Sequence, residues 1–277
     1  MTGPAMLDLE SVAGFIRETA AAEILPRFGA LAAGDIREKA PGDLVTVADL
    51  ATERRLQFLL ERHLPGSVTL GEESAAADPA RLDLLGGSAP VWIIDPIDGT
   101  GNFAKGRPGF AVIVAEIADG NLVCGWIYDP LADVMVMAAR GGGVWSQGRR
   151  LIVDASVPPA RMTGNAYGRA ASGRRAAQAL IDSGRIAAVQ NRGSSGLEYL
   201  DMALSLSQFT LHSRSLPWDH AAGMLIVEEA GGVARFLDGS PYDPQVHDRA
   251  PLAAASAEGW SVVHDIVTAG APSAEAR

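Results

Sequence analysis

The chain has 277 residues, enough for one large domain or two tightly associated halves around a substantial core. With 48% apolar and 20% charged residues it matches ordinary globular usage, which argues against disorder, collagen-like repeats and coiled coil. Its formal charge of −10 disfavours binding to nucleic acid and raises the prospect of acidic groups gathered around cations.

No apolar run approaches the roughly 18 residues needed to span a bilayer, and residues 1–9 lack the order of a signal peptide, so a cytoplasmic protein without membrane contact is expected. In chain order, Leu9, Val12, Ile16 and Ala20 recur at helical spacing and predict an amphipathic helix over 7–28, with Pro26 near its end. Lys39, Pro41, Gly42 and Asp43 then form a turn leading into the short extended run Leu44-Val45-Thr46-Val47, a candidate flap in which Lys39 receives no catalytic role. A helix follows over 50–63 with Leu56, Leu59 and Leu60 inward, and either Thr46 or Asp49 could cap it.

Two strand ends stand out. Val68-Thr69-Leu70 runs into Gly71-Glu72-Glu73-Ser74, whose adjacent like charges need a cation or solvent. Val91-Trp92-Ile93-Ile94 stops at Asp95 and Asp98, with Pro96 and Gly99 turning the chain and Thr100 just beyond. Paired carboxylates at a sheet end suit a hard cation, and backbone N–H groups at a following helical turn suit a phosphate. The plain alternative is a strand-to-loop junction, which uses the same residue types.

Apolar runs at 110–117, 122–128, 133–138 and 143–145, punctuated by Asp119-Gly120-Asn121, Asp129-Pro130 and Gly141-Gly142, predict an antiparallel meander. Cys124 within it reads as a small buried hydrophobe. Beyond Val157-Pro158-Pro159 strands alternate with helices over 173–183 and 197–206, an α/β pattern. We therefore expect an N-terminal α+β half over 1–155 and a C-terminal α/β half over 156–277, joined in one unit. Asp219 is placed at the N-cap of an apolar helix that ends at Gly231-Gly232, a role compatible with ligating a metal. The Ala-rich tail after Thr268 is expected to fray.

Taken together, DLVTVAD (43–49), GEES (71–74), WIIDPIDGTGNF (92–103) and WDHAAGMLIVEEAGG (218–232) resemble, in order and spacing, the signatures of the inositol monophosphatase family of Mg²⁺-dependent, lithium-sensitive phosphatases. The resemblance implies a layered α-β-α-β-α sandwich of the type shared with fructose-1,6-bisphosphatase, usually a homodimer. It implies that Glu72, Asp95 and the Ile97 carbonyl hold a first metal, and that Asp95 bridges to a second completed by Asp98 and Asp219. A third, weaker ion leans on Glu72 through waters, and Glu73 is a possible additional carboxylate. The cofactor is thus two to three Mg²⁺, with Li⁺ inhibitory. The amides of Gly99 and Thr100 hold the phosphate, and Thr100, Asp49 and Glu72 serve the attack of water, with Asp219 also facing substrate.

The ligand side departs from the pattern. His212 stands seven residues before Asp219, where the family resemblance places a glutamate. Ser194 and Ser195 match the stretch that lines the substrate alcohol, and Arg192 and Arg214 are candidates for a second phosphate. An inositol-1-phosphate-like or broad sugar-phosphate substrate ranks first. Histidinol phosphate is the nearest rival, followed by a sugar bisphosphate or a nucleotide 3′-phosphate. A non-catalytic metal- or phosphate-binding regulatory protein is the alternative of another class. Against it, Asp49, Glu72, Asp95, Asp98, Thr100 and Asp219 are all present.

Overall fold

In the computed structural model, which describes residues 4–167 and 171–269, the N-terminal helical pattern forms α1 (Pro4–Thr19). It then widens through a π turn at Ala20–Ile24 and tightens into a 3₁₀ turn at Leu25–Arg27 instead of running to Phe28 as one regular helix. Pro26 lacks an N–H for the helical ladder, which accounts for the change of pitch. The candidate flap is an antiparallel hairpin, β1 (Ile36–Ala40) and β2 (Asp43–Thr46). Helix α2 (Val47–His63) starts three residues before the predicted 50. Its N-cap is Thr46, whose hydroxyl accepts from the Ala48 N–H, while Asp49 closes the box by accepting from the Thr46 N–H at 2.8 Å.

Strand β3 (Val68–Gly71) is followed by the short helix α3 (Glu72–Ala77), and β4 (Val91–Asp98) by the single turn α4 (Thr100–Phe103). The meander is realised as β5 (Ala111–Ala118), β6 (Asn121–Asp129), β7 (Val134–Ala139), β8 (Gly143–Ser146) and β9 (Arg149–Leu151). These seven strands form one sheet in sequence order, parallel only between β3 and β4. The remaining elements are β10 (Thr163–Tyr167), α5 (Ala171–Asp182), β11 (Ala188–Gln190), α6 (Ser195–Ala203), β12 (Phe209–His212), α7 (Pro217–Glu229), β13 (Val233–Phe236), β14 (Pro251–Ala254) and α8 (Ala257–Ala269). Their strands form a five-stranded sheet ordered β11-β10-β12-β14-β13. The tail beyond residue 269 lies outside the described residues.

The layering follows from which residues need burial. Along β4, Val91 and Ile93 face one apolar cluster with α6 and α7, whereas Trp92 and Ile94 face another with α1 and α2. Covered on both faces, the strand reads as an unbroken apolar run. Helix α7 lies between the sheets and is buried on every side through Met224, Leu225, Ile226 and Val227, each contributing about 1.5–3 kcal/mol of burial. Gly125 admits it to the sheet, since a Cβ there would sit 2.9 Å from Ala222 Cα. On the far face of the second sheet, Leu180 of α5 and Val263 and Ile266 of α8 pack on Phe209, Leu211 and Leu252. The result is the α-β-α-β-α sandwich. Cys124, expected to be buried, is only half-buried, packed against the edge of the cluster of α1 and α2.

Candidate metal centre and active site

The parallel pairing of β3 with β4 decides where the acidic residues go. Gly71 pairs with Ile94, so Glu72 and Asp95 leave the sheet at the same end. Register slips between Asp95 and Asp98 against β5, at Pro96, which cannot donate to a ladder. Gly99 follows at φ +92°, and a Cβ there would meet the Gly109 carbonyl at 2.6 Å, so this reversal requires glycine.

Asp95, Asp98 and Asp219 converge here, each offering one carboxylate oxygen, all within 4.8 Å of one another. Asp98 Oδ2 accepts from Ser194 Oγ and from the Gly196 N–H, both at 2.6 Å, which seats it on the start of α6. Asp219 enters from the first turn of α7, and Ser195 Oγ donates to its main-chain carbonyl at 3.1 Å. The expected N-cap role of Asp219 is not observed, because the helix starts earlier, with Leu216 at the cap and Pro217 at the first helical position, where its fixed φ suits the turn. Among the described residues no donor reaches Asp95 Oδ1, which is buried. Burial, reinforced by the Glu72 and Asp98 charges, holds Asp95 well above the ordinary carboxylate range; burial does the same to Asp219, and raises Asp98 to about 6. Three crowded carboxylates with an unpaired oxygen fit a hard divalent cation.

A cavity of about 580 Å³ opens over this cluster, lined by Glu72, Asp95, Ile97, Asp98, Gly99, Thr100, Ser194, Ser195, His212 and Asp219 among others. Glu72 stands apart from the three-aspartate convergence and meets Lys39 Nζ at 2.8 Å. Asp49 and Glu73 do not line the cavity. Asp49 reaches it through Thr100, whose Oγ1 lies 3.1 Å from Asp49 Oδ1 and 2.9 Å from the Ile97 carbonyl. Burial raises Asp49 to about 6. Glu73 is held by Lys39 at 2.9 Å, and burial first, then the Glu72 charge, raise it to about 8.

His212, at the end of β12, is a cavity residue and not a surface one. Arg214 lines the cavity, whereas Arg192 does not: its Nε pairs with Asp201 Oδ2 at 3.0 Å, which argues against its candidacy for a second phosphate. Glu53, Glu198 and Thr210 are not singled out by the sequence, and Lys39, placed in the candidate flap, is given no role at the carboxylates there. Lys39 donates to both Glu72 and Glu73, Glu53 accepts from the Glu73 and Ser74 N–H groups, and Glu198 and Thr210 stand behind His212. Only the spacing of Glu53 on the inward face of a helix could have flagged any of them.

The inositol monophosphatase family model matches residues 8–269. An inositol-1-monophosphatase of Mycobacterium leprae is 36% identical over 236 residues, covering 81% of this chain and 79% of that protein. A chloroplastic phosphatase of Arabidopsis thaliana is 31% identical over 230 residues, which cover 79% of this chain and 59% of that protein's length. Among solved structures, an IMPase/NADP phosphatase complexed with Mg²⁺ and phosphate shares the fold with a TM-score of 0.78 at 21% identity, over 95% of each chain. The chain therefore belongs to the inositol monophosphatase family and is a phosphoric monoester hydrolase.

Proposed function

We propose that this protein is a Mg²⁺-dependent phosphatase of small hydroxylated phosphomonoesters, inositol 1-phosphate or a related sugar phosphate first among them. The observation that carries the reading is the convergence of Asp95, Asp98 and Asp219, with the buried Asp95 Oδ1 unpaired among the described residues. An uncompensated buried carboxylate is costly, and a cation offsets that cost.

Asp95, Asp98 and Asp219, with Glu72 and the Ile97 carbonyl, would hold two to three ions. When bound, such ions neutralise phosphate oxygens and lower the pKa of water. The amides of Gly99 and Thr100, at the turn into α4, take phosphoryl oxygens. The Thr100 hydroxyl has one proton to give; donated to Asp49, it leaves an Oγ lone pair free to accept from an attacking water. Ser194 and Ser195 fix Asp98 and the start of α7, and His212 and Arg214 face the alcohol. Li⁺ is expected to inhibit, and a homodimer is the expected assembly. No helix of the described residues is long and apolar enough to cross a membrane.

The test is phosphate release from inositol 1-phosphate, fructose 1,6-bisphosphate, histidinol phosphate and adenosine 3′-phosphate, with Mg²⁺ and with EDTA. The reading requires Mg²⁺-dependent release with the first substrate ahead by kcat/KM. No release from any of them in Mg²⁺ would sink it.

A further inference from the structure

Helices α1 and α2 each bury one side on the seven-stranded sheet, through residues such as Ile16 and Leu56, and leave the other side uncovered. On α1 the uncovered side carries Glu10, Gly14 and Glu18, and on α2 it carries Arg54, Phe58 and Arg62, all six exposed. Both trios are spaced i, i+4, i+8, so each forms one stripe along its helix. One stripe is acidic around a glycine; the other is basic around an aromatic ring.

Neither stripe is explained inside its own chain. Gly14 lies within α1, where glycine is a poor helix former, yet a Cβ there would meet nothing within 4 Å, so no neighbour in the chain requires it. Phe58 is 57% exposed, with the Arg62 guanidinium 5.0 Å from its ring centroid. Among the described residues Glu10, Arg54 and Arg62 form no ion pair, and Glu18, though it meets Arg55, keeps 62% of its side chain exposed. Arginine and aromatic side chains are the types enriched where proteins meet. Two arginines flanking an open ring suit an acidic surface with room for that ring, and α1 of the same chain has both features.

The two helices run antiparallel, since Phe15 meets His63 with ring centroids 5.4 Å apart while Glu18, further along α1, reaches back to Arg55. A two-fold axis between them brings α1 of one copy across α2 of another, and the same operation repeats the contact. Both stripes are i±4 ridges, which lie alongside one another when helices cross at about −50°. We propose that this face is a self-complementary interface between two copies of the chain, in which Phe58 packs at Gly14 and the Glu10–Glu18 pair meets the Arg54–Arg62 pair, twice over. Helices of 16 and 17 residues are about 25 Å long, and two side by side cover on the order of 500 Å² per copy. That area places the contact in the weak, concentration-dependent class. It also stands apart from the phosphatase reading, because none of the six residues lines the cavity.

The test is analytical sedimentation of the full chain with Mg²⁺ over a range of concentrations. It compares the wild type, Glu10→Arg with Glu18→Arg, Arg54→Glu with Arg62→Glu, an equimolar mixture of these two double variants, and Gly14→Gln. Whatever other contact the copies make, the wild type should form a species at least twice the mass of either double variant, whose dissociation constants should rise at least about tenfold. The mixture should regain the heavier species, because in every mixed pair a basic α1 faces an acidic α2 and a basic α2 faces an acidic α1. Gly14→Gln keeps every charge and serves if a charge-reversed chain does not fold. In dilute solution it should melt above the wild type, glycine being the poorer helix former, yet it should associate at least about tenfold more weakly. A wild type no heavier than the folded variants at up to about 1 mM overturns the proposal and leaves the stripes to a different partner. A mixture no heavier than its two folded components overturns it as well.

Discussion

Lys39 Nζ donates to Glu72 Oε1 across 2.8 Å, tying the β1–β2 hairpin to the first residue of α3. The same ammonium reaches Glu73 Oε1 at 2.9 Å, and the side chains of all three residues are less than one-fifth exposed. Burial alone would lower the lysine pKa, but Glu72 and Glu73 outweigh it and hold the group protonated. Lys39 is thus a resident cation on a carboxylate assigned to metal.

Replacing it exposes that competition. Lys39→Met should lower the Mg²⁺ concentration for half-maximal activity about threefold to tenfold, an effect of order 1 kcal/mol. In EDTA the same variant should melt earlier, because Glu73 keeps its burial and loses its counter-ion. Mg²⁺ titration of activity and thermal unfolding check the two halves separately. An unchanged or higher Mg²⁺ midpoint would show that Lys39 does not compete.

Asp95→Asn should separate activity from stability. It removes the carboxylate shared by both proposed ions, and kcat/KM should drop more than about a hundredfold, close to 3 kcal/mol. The metal-free protein should instead become more stable, since the substitution relieves a fully buried acid crowded by Glu72, Asp98 and Asp219. Retained turnover at moderate Mg²⁺, or a lower Tm in EDTA, would contradict the assignment.

Thr100 and Asp49 should act as a unit. Thr100→Val and Asp49→Asn are each expected to reduce kcat about a hundredfold with KM within about twofold, the scale of general acid–base assistance. The double variant should be little worse than either single one, because each already breaks the 3.1 Å contact. Thr100→Ser should recover most of the rate. Losses that multiply would mean that the two residues serve separate steps.

What was legible in the sequence was what the chain keeps local. Asp95, Asp98, Gly99 and Thr100 occupy one strand end, where strand residues, proline and glycine mark the break, and the meander announced itself through its turns. The sandwich and the identity of Asp49 and Asp219 came only from resemblance, since each is helix-forming on its own evidence. The start of α7 was misplaced because Pro217 at its first position outranks an aspartate two residues on. Lys39 on Glu72, Glu53 under α3 and Glu198 behind His212 join residues from separate elements, and no local periodicity encodes such pairs.

The pH dependence of metal-free stability has a definite sign. Glu73 and Glu198 are raised to about 8, so above the ordinary glutamate value near 4.5 the folded state binds protons that the unfolded chain has released. Stability then falls as pH rises toward 8. His212 and His220 are depressed and oppose this, but only below the ordinary histidine value of 6.5, where the unfolded chain takes protons that the folded state refuses. Between about pH 6.5 and 8 the acids act alone. Tm in EDTA should decline across that interval, and saturating Mg²⁺ should flatten the decline by binding the ionised aspartates. A Tm that rises from pH 6.5 to 8 without metal would exclude raised carboxylates.

Glu53 provides the last test, because α3 cannot hold its own first turn. The helix has six residues, and its N-cap, Gly71, has no side chain to satisfy the leading amides. Glu53 reaches over from α2 instead, accepting from the Glu73 N–H at 2.7 Å and the Ser74 N–H at 2.9 Å. Gly71 must lack a Cβ for this, since one would stand 2.1 Å from Glu53 Cδ. Glu53→Gln keeps the shape but offers one acceptor oxygen where two are needed and turns an NH₂ toward an N–H. The loss should be about 1–2 kcal/mol of stability, in the range of a lost helix cap. Because α3 carries Glu72, the Mg²⁺ midpoint should rise severalfold while kcat at saturating Mg²⁺ is largely retained. Gly71→Ala should act in the same direction through the displaced carboxylate. A destabilised Glu53→Gln protein with an unaltered Mg²⁺ midpoint would show that Glu72 is placed by Lys39 and the β3–β4 pairing without help from this cap.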